Sequence, residues 1–100
     1  MTIYQHRASI TAASGSISST TLKVRGGLLR QLYIKANTAS TVFKANLVDD
    51  NSITVLNYGL HTGDLNDFLN LALPVQGQYV LNITNASPDD TFAVLLGVEE

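Results

Sequence analysis

Gly77-Gln78-Tyr79-Val80-Leu81-Asn82-Ile83-Thr84, a turn at Ser87-Pro88-Asp89-Asp90, and then Thr91-Phe92-Ala93-Val94-Leu95-Leu96-Gly97-Val98 decide how this chain folds. Tyr79, Leu81 and Ile83 alternate with Val80, Asn82 and Thr84, and Phe92, Val94, Leu96 and Val98 repeat the same spacing. Successive side chains of a strand point to opposite sides, so each run predicts a strand with one buried and one solvated face.

The same period extends outward. Between Leu28 and Ala36, the residues Leu28, Arg30, Leu32, Ile34 and Ala36 share one face, and Leu29, Gln31, Tyr33 and Lys35 the other. Phe43, Ala45 and Leu47 oppose Lys44 and Asn46. Turn-forming clusters punctuate these runs: Gly26-Gly27, Asn37-Thr38-Ala39-Ser40, Asp49-Asp50-Asn51-Ser52 and Gln76-Gly77. Gly26-Gly27 is expected to supply the positive φ angles of a tight hairpin. The expected strands lie near residues 2–12, 16–25, 28–37, 41–49, 52–58, 66–74, 77–85 and 90–99. Short strands at this spacing predict an all-β fold, an antiparallel β-sandwich, jelly-roll-like, of seven or eight strands. Phe43, Tyr79, Leu81, Ile83, Phe92, Val94 and Leu96 are the expected core between its sheets. Two segments keep alternatives. Ala8 to Leu22 fits two exposed strands around Ser14-Gly15 or an N-terminal arm, and Asp64 to Leu73 fits a strand or a short helical turn.

The chain has 100 residues, enough for one domain with a core of its own. Apolar residues make up 45% and charged ones only 14%, which excludes intrinsic disorder. There is no cysteine, hence no disulfide framework and no thiolate metal site. From Phe68 to Pro88 no charge occurs, but Asn70, Gln76, Gln78, Asn82 and Asn85 interrupt the apolar residues, so no membrane partner is expected. Met1 to Arg7 lacks the apolar stretch of a signal peptide. All six basic residues (Arg7, Lys23, Arg25, Arg30, Lys35, Lys44) precede all eight acidic ones, for a net charge of -2. That order admits two arrangements: neutralisation within one copy, or the basic flank of one copy against the acidic flank of the next.

No reaction chemistry emerges. His6 and His61 lie far apart without metal-ligand spacing, and no Gly-x-Ser-x-Gly elbow is present. The aspartate pairs 49–50 and 89–90 form no calcium-loop pattern and are read as turns. Arg25-Gly26-Gly27 is one unit of a motif that binds RNA only as repeats, so no nucleic-acid partner is expected. Asn82-Ile83-Thr84 and Asn85-Ala86-Ser87 are formal glycosylation sequons, read here as polar strand and turn positions. No catalytic residue, metal site or cofactor is expected, and the chain is not expected to be an enzyme. A sugar platform would need exposed aromatic faces; there is no Trp, and only Tyr4, Tyr33 and Tyr58 fall on outer faces.

Leu28-Leu29-Arg30-Gln31-Leu32-Tyr33-Ile34 and Thr41-Val42-Phe43-Lys44-Ala45-Asn46-Leu47-Val48-Asp49, together with the two C-terminal runs quoted first, resemble the small jelly-roll decoration or cement proteins of tailed bacteriophage virions. The resemblance lies in strand pattern and in a cysteine-free, Ser/Thr/Asn/Ala-rich composition. It implies a non-enzymatic structural protein of the virion, on the capsid surface, that binds the major capsid protein as a homo-oligomer, a trimer being favoured. The alternative is a carbohydrate- or receptor-binding sandwich module, as in a phage tail or baseplate. Residues 1–8 are expected to contact a neighbouring subunit by strand addition. The candidate interface residues are Ile3, Tyr4, Arg7, Lys35, Lys44, Asp64 and Asp67.

Overall fold

A computed structural model of the chain describes residues 3–12 and 17–99. They form six strands: β1 (Ile3–Thr11), β2 (Ser18–Ala36), β3 (Val42–Asp49), β4 (Thr54–Thr62), β5 (Leu65–Thr84) and β6 (Thr91–Glu99). All pairings are antiparallel and the strand order is β1-β6-β2-β5-β3-β4.

The pairings are those of one long hairpin. Its tip is the β3–β4 turn; β2 then pairs with β5 along most of its length, and β1 with β6 outside them. Both long strands bend where their ladder slips, between Val24 and Gly27 on β2, opposite Gly77 to Val75 on β5. Gly77 takes a φ of 95°, a conformation that favours glycine. The extra residue of a bulge bends and twists a strand. Each long strand thereby serves two layers. One layer is β1, β6, residues 27–36 of β2 and the first part of β5; the other is residues 18–24 of β2, residues 77–84 of β5, β3 and β4. A hairpin rolled up in this way is the jelly-roll form of the antiparallel sandwich, with eight strand segments.

Phe43 of β3 and Phe92 of β6 are not ladder neighbours, yet their rings meet edge to face with centroids 4.9 Å apart and planes at 63°. That contact spans the two layers. Phe43, Tyr79, Leu81, Ile83, Phe92, Val94 and Leu96 are all buried, as their alternation predicts. Each such side chain contributes about 1.5–3 kcal/mol by leaving water.

Three expectations are corrected. Gly26-Gly27 is no hairpin turn: β2 runs through it and only bends. Gly27 is small because β6 passes close; a Cβ added there would lie 2.5 Å from the Glu99 carbonyl oxygen. The helical alternative for residues 64–73 fails, since Leu65 onward is strand, with Leu65 buried and Phe68 turned to solvent. On β2 the buried residue is Leu29, not Leu28. Arg30 is an extra residue in the ladder to β6, and it shifts the alternation by one. The proposed turn at Ser14-Gly15 lies outside the described residues; the strands on either side of it are β1 and β2.

Candidate functional site

The seven expected interface residues do not form one surface. Ile3 and Arg7 are exposed and Tyr4 half-buried on β1, all within the regular ladder to β6. Lys35 projects from the outer face of the first layer, and Lys44 from the outer face of the second, so the two lysines point away from each other. Asp64, which is exposed, and Asp67, which is half-buried, are both engaged by hydrogen bonds within the molecule. The Asp64 carboxylate accepts from the Ala36 backbone N–H at 3.0 Å and from the Tyr33 hydroxyl at 3.2 Å, tying the β4–β5 turn to the end of β2. Asp67 accepts from the Tyr58 hydroxyl at 2.6 Å, linking β5 to β4. Burial first, and then the hydrogen bond to Asp67 and its negative charge, push the Tyr58 phenol well above its ordinary pKa. Loss of surrounding water, followed by the charge and hydrogen bond of Asp64, raises that of Tyr33.

Arg30 and Glu99 lie on adjacent strands and pair at 2.7 Å, so part of the charge segregation is neutralised within one copy. The pair is partly exposed and contributes little to stability.

The outer face of the first layer carries a feature the interface residues only touch. β6 lies between β1 and β2, and its outward positions from residue 91 to 97 are Thr91, Ala93, Leu95 and Gly97. Neighbouring rows are taller. Arg7 stands across from Leu95 on one side and Tyr33 on the other, with Ser9 and Lys35 flanking Ala93 in the same way. The result is a trough along β6, made of two depressions of about 340 and 210 Å³ that share Lys35 and Ala93. Arg7 forms one rail, its Nη2 donating to Gln5 Oε1 at 2.8 Å, and no carboxylate lines either depression. The signal was present in the sequence as three small residues, Thr91, Ala93 and Gly97, on the face opposite Phe92, Val94, Leu96 and Val98. It gains meaning only once β1 and β2 are known to flank β6.

The outer face of the second layer is different. Ser19, Asn82, Asn46 and Asn57 stand in one row across four strand segments. Asn82 Nδ2 donates to Asn46 Oδ1 at 2.9 Å. Among the described residues no three His, Asp or Glu side chains are placed to hold a metal ion, and no helix is long and apolar enough to cross a membrane.

No protein-family model, no curated protein and no solved structure matches this chain.

Proposed function

We propose that the chain is a non-enzymatic structural protein of a virion, a decoration or cement module that binds the major capsid lattice. The supporting observation is the shape of the outer faces. They offer broad contact, a shallow cationic trough and an amide row, while the titratable side chains are spread out or engaged with backbone and hydroxyl donors. Jelly rolls occur in viral capsid and lectin domains alike, so the fold is an analogy and the surface carries the reading. Lattice attachment suits such a surface, because repeated weak contacts sum when copies are linked.

The purified chain should co-sediment saturably with empty capsids of the same virus and raise their dissociation temperature. Absence of binding to capsids, with purified tails and baseplates as a parallel arm, refutes the reading. The row of Ser19, Asn82, Asn46 and Asn57 favours a second reading, a carbohydrate-binding module, since paired amide donors and acceptors match sugar hydroxyls. A glycan array with specific hits lost in Asn46→Ala decides for it.

A further inference from the structure

We infer that the β6 trough receives the β3–β4 hairpin tip of a second copy of this chain. Both halves of the contact are present on one molecule. The trough has a floor of Ala93 and Leu95 and a cation on each rail, Arg7 and Lys35. The rails stand two strand spacings apart, about 9.5 Å, which admits a pair of projecting side chains but no second sheet.

The tip is a rigid prong. Asp49 Oδ1 accepts from the backbone N–H groups of Asn51 and Ile53, both at 2.9 Å, and the Asp49 N–H donates to the Ile53 carbonyl at 2.9 Å. Ser52 sits at a φ of 64°, completing the turn. Held on this frame, the Asp50 carboxylate is exposed and makes no hydrogen bond among the described residues, and Ile53 is 59% exposed. A free carboxylate beside an exposed aliphatic side chain is the complement of two cations above an apolar floor. Because the prong is already ordered, docking costs it little conformational entropy.

One copy cannot fill its own trough, since the prong belongs to the second layer and the trough is the outer face of the first. A second copy is favoured over a polyanion because the chain as a whole is acidic, at a net charge of -2, and would repel one elsewhere on its surface. The contact is head to tail, so it closes into a ring or runs on as a filament. It is also smaller than the roughly 1,000 Å² of a stable interface, which makes it a weak contact that acts at high local concentration. It stands independently of the virion reading.

The test is sedimentation of the full chain over a range of concentrations at low salt, with circular dichroism confirming that each variant folds. Wild-type mass should rise with concentration and fall toward the monomer as about 1 M salt shortens screening to ~3 Å. Arg7→Glu/Lys35→Glu, with an acidic trough facing an acidic prong, should weaken association by about tenfold or more, and Asp50→Lys should do the same by facing two like cations. An equimolar mixture of the two variants restores the contact wherever the two alternate and should regain association that neither variant shows alone. A monomer at every concentration overturns the inference. So does an oligomer indifferent to the charge reversals, or reversals that weaken association with no recovery on mixing.

Discussion

Phe43 and Phe92 clasp the two layers together, and truncating them measures how much of the fold depends on that clasp. Both are at most 2% exposed, and their rings meet at 4.9 Å and 63°, the edge-to-face arrangement that aromatic quadrupoles favour. Phe43 also meets His61 edge to face at 5.8 Å, which leaves it walled by aromatic neighbours. Phe92→Ala forfeits about 2–3 kcal/mol of transfer energy, and the cavity left between rigid sheets raises the expected cost to about 3–5 kcal/mol. Domains are typically stable by only about 5–15 kcal/mol, so Phe43→Ala/Phe92→Ala approaches or passes the limit of folding. The coupling between the rings is therefore better read with Leu at each position. A double-mutant cycle by urea unfolding should return about 0.5–1.5 kcal/mol. A loss under about 0.5 kcal/mol for Phe92→Ala, the range of surface substitutions, would refute the face assignment of β6. A coupling of zero would refute the contact between the layers.

Gly27→Ala places a Cβ within 2.5 Å of the Glu99 carbonyl oxygen and should cost about 1–3 kcal/mol in urea unfolding. Gly26→Ala meets only the Gln76 side chain at 3.6 Å and should leave stability nearly unchanged. Tyr58 makes stability fall in alkali: its phenol titrates higher folded than unfolded, so its contribution is complete below about pH 10 and is lost as pH rises beyond that. Tyr58→Phe should cost about 1–2 kcal/mol at neutral pH and flatten the alkaline arm of a stability–pH profile. A profile from pH 8 upward identical to wild type contradicts this. His6 Nε2 is buried and makes no hydrogen bond among the described residues. His6→Leu should leave stability equal or raise it by about 1 kcal/mol, checked by thermal unfolding.

Alternation is a local property, and it was enough to assign the buried faces of β3, β6 and the second half of β5, because side-chain direction in a strand follows from the backbone alone. The turns at Asp49 to Ile53 and Ser87 to Asp90 were legible for the same reason, their side chains bonding their own backbone. Gly26-Gly27 was not. Two glycines between alternating runs have the same local chemistry whether the chain reverses or merely changes layer. What separates the two is the partner strand, and β5 lies about fifty residues away along the chain. The bulge at Arg30 escaped similarly: an extra residue shows only against the ladder of β6. The trough has the same origin. Thr91, Ala93 and Gly97 are small in any reading, but smallness becomes a depression only when Arg7 and Lys35 rise on either side. Residue period is set by the geometry of one strand and is carried by the sequence itself. Neighbours across a sheet are set by pairing between distant segments, and only the tertiary structure decides them.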